Sequence, residues 1–174
     1  ALGGINFIEF TRDGTVMHEA VPLSGQQREQ LENNLLLFYL GGSRSASEIL
    51  ARQSKNSASK ADVIENLKFM ASQARKLRGD ICRDVDVIGE YLKEGWRRKR
   101  ELAQGISNPL IDNAYERALE AGATGAKLLG AGGSGFLLVY APGSAREAVI
   151  RSLSEFELHN VSIDYAGASI AYSD

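Results

Sequence analysis

The run Gly130-Ala131-Gly132-Gly133-Ser134-Gly135 passes directly into the apolar segment Phe136-Leu137-Leu138-Val139-Tyr140. No other junction in the chain constrains the backbone as tightly. Glycine takes φ > 0 at little cost and carries no Cβ to hold a neighbour away. A glycine run set against a strand therefore reads as a loop whose backbone comes very close to something. Two readings stand. The loop can present several N–H groups to a phosphate or other anion, or it can be a tight turn between strands. Two common signatures are excluded. The spacing is not Gly-x-x-x-x-Gly-Lys-Ser/Thr, because Lys127 precedes the glycines. The loop leads into a strand rather than a helix, which argues against a dinucleotide fingerprint.

The flanking pattern places this loop in an α+β chain. Ile5–Phe10 is strand-like, and Asp13-Gly14 is a hairpin signal leading to a second strand over Val16–Val21. Ser24 and Gln27 form a capping box that opens a short helix. Leu35–Leu40 is a continuous apolar run, read as a strand buried on both faces. Ser45 and Glu48 form another capping box, with a helix to about Gln53 and a polar loop over Ser54–Ser59. Ser59 is read as the cap of a long helix carrying Val63, Leu67, Met70, Ala74 and Leu77 on one face, with Gly79 as its stop. Ile81, Val85, Ile88 and Leu92 mark the face of another helix. Asn108 caps a helix with Pro109 at its first position and Gly122 beyond its end. Ser144 and Glu147 cap a helix to about Phe156, and Val161–Tyr165 reads as a last strand. The order implies a single domain over residues 1–174: a mostly antiparallel four-stranded sheet covered on one face by helices.

Composition removes several classes of function. A net charge of −2 over 174 residues gives no basic field for nucleic acid. One cysteine, Cys82, excludes an internal disulfide framework and fits a reducing, cytoplasmic setting. With only His18 and His159 beside it, a zinc site is not expected, and no metal ligands are assigned. No apolar run approaches the ~20 residues needed to span a bilayer, so no membrane partner is expected. The start, Ala1-Leu2-Gly3-Gly4-Ile5, reads as the interior of a longer protein.

Few side chains stand out for chemistry. The strand–Gly41-Gly42-Ser43-Arg44-Ser45–helix segment offers a helix N-terminus, two hydroxyls and a guanidinium fork suited to phosphate or carboxylate. The plain alternative is a capped helix with an exposed Arg44. Lys127 can reach an anion near the glycine loop or simply face solvent. Arg97-Arg98-Lys99-Arg100 points in several directions on a helix and reads as solvated surface. Cys82 reads as packing, and Asp112 as a favourable charge in a first helical turn. No nucleophile–base arrangement and no acid/base carboxylate pair is legible.

Taken together, Trp96–Arg100, Ile106–Asp112, Tyr115, Ala118, Gly122-Ala123 and Gly125–Phe136 resemble the C-terminal half of a GHMP-type kinase. That family is named for galactokinase, homoserine kinase, mevalonate kinase and phosphomevalonate kinase. Gly3–Phe10 and Phe38–Leu50 extend the likeness over nearly the whole chain, and within the family it runs toward D-glycero-D-manno-heptose 7-phosphate kinases and related sugar kinases. The resemblance implies a ferredoxin-like core with extra helices, and ATP with Mg²⁺ in the parent enzyme, neither held by this chain alone. It implies that Gly130, Ala131, Gly132, Gly133, Ser134 and Gly135 form the family's third motif, which lies against the nucleotide-phosphate loop and the sugar site. Ser134 stands where the motif usually has another glycine. It implies that Ser43, Arg44, Ser45 and Lys127 lie near a sugar or sugar-phosphate substrate. It places the main ATP-phosphate loop and the catalytic Asp upstream of Ala1, so this chain carries no catalytic residue, its partner is an N-terminal domain, and it is inactive alone. A homodimer through the face so exposed is a further expectation. The rival reading is a standalone α+β module that binds an anionic metabolite or a partner protein without catalysis.

Overall fold

The computed structural model describes residues 2–42 and 46–169. Strands β1 (Asn6–Phe10) and β2 (Val16–Ala20) pair antiparallel as a separate two-stranded sheet. The turn between them is built as the Asp13-Gly14 signal requires. Thr11 Oγ1 and Thr15 N both donate to Asp13 Oδ1, and Gly14 takes φ +86°. Helix α1 (Gly25–Asn34) starts with the expected reciprocal box: Ser24 Oγ accepts from Gln27 N, and Gln27 Oε1 accepts from Ser24 N.

Strand β3 (Leu35–Tyr39) follows without a loop. It joins β4 (Gly125–Leu128), β5 (Phe136–Tyr140) and β6 (Glu157–His159) in a four-stranded antiparallel sheet of order β4-β5-β3-β6. Between β3 and β4 lie helices α2 (Ala46–Ser59), α3 (Ala61–Asp80), α4 (Ile88–Arg100) and α5 (Pro109–Glu120). Helix α6 (Gly143–Ser152) joins β5 to β6. Counted from β3, this is the β-α-β-β-α-β succession of a ferredoxin-like core, with extra helices inserted in its first crossover.

Register sorts the side chains. Leu36 and Phe38 of β3, Leu137 and Val139 of β5, and Ala126 and Leu128 of β4 share one face and are buried. They pack on Ile111, Ala114, Tyr115 and Ala118 of α5 and on Val149 and Leu153. Each large aliphatic or aromatic side chain buried here contributes about 1.5–3 kcal/mol. The opposite face presents Leu35, Leu138 and Tyr140 to Leu23, Leu31, Ile81 and Val85. Below the hairpin this side opens into a cavity of about 490 Å³ lined by Ile5, Phe7, Leu77 and Ile88 among others.

Several local expectations are corrected. Gly125–Leu128 is a strand, which the residue pattern did not mark. Helix α2 runs through Ser59, whose hydroxyl donates back to the Lys55 carbonyl at 2.9 Å. Lys60, not Ser59, precedes α3, and it provides no side-chain cap. Gly79 lies inside α3, which ends at Asp80. A 3₁₀ turn at Val85–Val87 separates α3 from α4, so Ile81 and Leu92 belong to different elements. Pro142 rather than Ser144 precedes α6. The last strand is Glu157–His159, and Val161–Tyr165 is irregular. Ser45, half of an expected capping box, lies outside the described residues.

Candidate functional site

The glycine loop connects the paired strands β4 and β5, closed at its base by Leu129 N donating to Phe136 O at 2.8 Å. Gly130, Gly132, Gly133 and Gly135 all have positive φ, between +71° and +109°. The turn reading is therefore correct as geometry, and the close approach is to the chain itself. A Cβ on Gly132 would lie 2.7 Å from the Ile106 carbonyl oxygen. Gly133 N donates to that same oxygen at 2.8 Å, and Asn108 Nδ2 donates to Gly133 O at 3.0 Å. Asn108 serves twice, because its Oδ1 also accepts from Leu110 N and Ile111 N as the cap of α5.

The other end of the loop meets the segment after β3. Leu40 N donates to Gly135 O at 2.9 Å and Gly135 N to Gly41 O at 3.3 Å. A Cβ on Gly42 would touch Ser134 Cβ at 3.0 Å. The two glycine segments singled out in the sequence thus adjoin, although Ser43, Arg44 and Ser45 themselves lie outside the described residues. Beside them Tyr39, Phe136 and His159 form an aromatic row, with ring centroids 5.0 and 5.3 Å apart. Sequence reading missed this row, since only the β3–β5–β6 register brings it together.

Two lysines approach from α4 and β4. Lys99 Nζ donates to Gly130 O and, at 3.4 Å, to Leu128 O. Burial, with Lys127 nearby, lowers its pKa to about 8. Lys127 lies on β4 and lines a groove with Phe69, Met70, Gln73, Leu92 and Gly95. Burial lowers its pKa as well. Among the described residues neither ammonium pairs with a carboxylate.

The basic run around Lys99 is not a free surface. Arg97 pairs with Glu94 and Glu101. Arg98 pairs with Glu94, donates to Asn66 Oδ1 at 2.7 Å and stacks on Phe69. Held first by Arg97, the Glu94 carboxyl is lowered to about 2. Arg100 lies over Trp96 and Tyr115 and donates to Asp112 Oδ1 at 3.2 Å, where Ser107 Oγ also donates at 2.7 Å. Asp112 thus ties α4 and α5 to the strut, residues 106–108, that backs the loop. No signal in the sequence marked Lys99 as different from its basic neighbours.

The chemistry available is anion binding. The N–H groups of Gly130, Ala131, Gly132 and Ser134 find no acceptor among the described residues, and backbone donors in a glycine loop backed by a lysine favour phosphate. No group of three or more His, Cys, Asp or Glu gathers among the described residues, and Asp112 Oδ1 is already taken by Ser107 and Arg100.

Residues 70–157, just over half the chain, match the family model described as GHMP kinases C terminal. The D-glycero-alpha-D-manno-heptose 7-phosphate kinase of Campylobacter jejuni is 24% identical over 152 residues, covering 87% of this chain and 44% of that protein. The bifunctional fucokinase/GDP-fucose pyrophosphorylase of Arabidopsis thaliana is 30% identical over 141 residues, covering 79% of this chain and 13% of that protein. Among solved structures, L. major mevalonate kinase in complex with R-mevalonate shares the fold, with a TM-score of 0.68 at 18% identity over 88% of this chain and 45% of that one. The chain spans less than half the length of each of these relatives. The matched segment carries the loop, the lysines and the strut described above, and the chain belongs to the GHMP kinases, through their C-terminal domain.

Proposed function

We propose that this chain forms one wall of the cleft in an ATP-dependent kinase that phosphorylates a hydroxyl of a sugar or sugar phosphate. One observation carries the reading: the glycine loop is pinned from behind by Lys99 and Asn108, while the N–H groups of Gly130, Ala131, Gly132 and Ser134 find no acceptor among the described residues. In phosphoryl transfer the protein mainly positions groups and stabilises charge, which backbone donors and ammonium groups do well. The names of the heptose-phosphate and fucose relatives support a sugar acceptor. Arg44, with Ser43 and Ser45, suits a second phosphate on that acceptor. In this reading another domain of the parent enzyme supplies the catalytic Asp. The hairpin leaves Phe10 78%, Val16 54% and Met17 51% exposed, apolar area that such a domain, or a second copy in its absence, would cover.

The test is ADP release by the full-length polypeptide carrying this chain, with ATP, Mg²⁺ and a panel of heptose 7-phosphate, fucose, galactose and mevalonate. Turnover with a sugar or sugar phosphate is expected, and none from the 174-residue chain alone. Turnover with mevalonate only would replace the sugar reading. Anion binding without turnover on any acceptor would favour a non-catalytic module.

A further inference from the structure

Four positive-φ glycines make the 130–135 loop costly to order, because glycine loses more freedom on folding than any other residue. The loop therefore needs pins, and each pin also fixes a peptide plane. In a trans peptide the carbonyl of one residue and the N–H of the next point in opposite directions, and no described peptide is cis. The Gly130 carbonyl is aimed at Lys99 Nζ, so the Ala131 N–H points away from Lys99. The Gly133 carbonyl is aimed at Asn108 Nδ2, so the Ser134 N–H points away from Asn108. These are two of the N–H groups that no described residue uses. Lys99 and Asn108 come from opposite sides of the turn linking α4 to α5, and Arg100, Asp112 and Ser107 fasten that turn.

We infer that Lys99 and Asn108 are paired positioning residues that orient the Ala131 and Ser134 N–H groups toward a phosphate oxygen. The phosphate in this inference rests on the function proposed above; the orientation does not. Neither side chain touches the ligand. Each acts through the peptide whose carbonyl it holds. Lys99 does so as a cation, which adds positive potential behind the loop, whereas Asn108 is neutral.

The experiment is ¹⁵N relaxation of the protein and its Lys99→Met, Lys99→Arg and Asn108→Asp variants, each titrated with inorganic pyrophosphate. Asn108→Asp keeps the oxygen that caps α5 and replaces the Nδ2 donor with a charged acceptor, which cannot hold the Gly133 carbonyl. In the wild type the Ala131 and Ser134 amides are expected to be rigid, with order parameters of about 0.85. Lys99→Met should drop Ala131 below about 0.6 and leave β4 and β5 unchanged, and Lys99→Arg should restore it. Asn108→Asp should loosen Ser134 instead. Unchanged order at Ala131 in a folded Lys99→Met protein would overturn the inference, as would equal loosening of β4 and β5. If the variants loosen as expected but pyrophosphate shifts neither amide in the wild type, the positioning stands and the phosphate reading fails.

Discussion

A Cβ on Gly125 would lie 1.8 Å from the carbonyl oxygen of Gly89. Helix α4 and the edge strand β4 touch backbone to backbone at this point, and the contact sets where the rest of α4 falls. Ten residues of helix advance about 15 Å. Three to five residues of strand advance about 10–17 Å. Lys99 therefore arrives opposite Leu128 and Gly130, whose carbonyls it binds. Gly125→Ala should destabilise the protein by about 3 kcal/mol, the upper range for an added methyl that backbone cannot yield to. Urea denaturation measures it, and a loss below about 1 kcal/mol would show that the two elements can separate freely.

The loop glycines are not equivalent. At Gly132 a methyl meets Ile106 backbone and side chain at 2.7–2.9 Å, and φ is +107°. At Gly130 nothing lies within 4 Å, and only the φ of +71° opposes a side chain. Gly130→Ala is expected to cost about 1 kcal/mol from left-handed backbone alone. Gly132→Ala should cost about 3 kcal/mol, because steric overlap adds to it. Thermal denaturation of the two variants side by side checks the order, and equal losses would mean the Ile106 contact is not a constraint.

Lys99 gives the stability a specific alkaline profile. Its pKa is about 8 in the folded chain against 10.5 for a free lysine, chiefly through burial and then through Lys127. Between those values the unfolded chain binds more protons, so stability rises with pH across that window. After discounting for partial exposure the gain is about 1–2 kcal/mol. Tyr140 acts with the opposite sign: burial and Asp86 raise its pKa above the usual 10.0, so its contribution is lost as pH climbs beyond 10. Urea midpoints from pH 7.5 to 10 should climb in the wild type and climb less steeply in Lys99→Met, where the buried Lys127 still contributes with the same sign. A flat wild-type profile would contradict the depressed pKa.

Tyr140 also closes a polar network under the second sheet face. Its hydroxyl donates to Asp86 Oδ1 and accepts from the buried Asn34 Nδ2 at 3.0 Å. Tyr140→Phe removes both partners' bonds and leaves Asn34 under-satisfied, a loss of about 2 kcal/mol. Double-mutant cycles with Asn34→Leu should show coupling, since removing both polar groups together costs less than the sum. Strict additivity would mean that the two groups do not depend on each other.

Much of the local structure was legible because it is decided within a few residues. Asp13-Gly14 turns, Ser24 and Gln27 cap each other, Asn108 and Pro109 open α5, and the Leu35–Leu40 run is a strand, each through bonds and burial patterns local in sequence. The errors fell where local signals compete with packing. Ser59 has the chemistry of an N-cap, yet α2 continues through it and its hydroxyl bonds back to Lys55.

Residue pattern and family likeness together marked the Gly130–Gly135 loop and what such a loop can bind. What the loop leans on came only from tertiary structure. Lys99 lies 31 residues from Gly130, Asn108 lies 25 from Gly133, and Gly41 reaches Gly135 only through the pairing of β3 with β5. No rule of spacing along the chain links such positions. Peptide planes in a glycine loop are turned by whatever binds their carbonyls, and those partners are brought there by the packing of α4 on β4 and of α5 beneath the sheet.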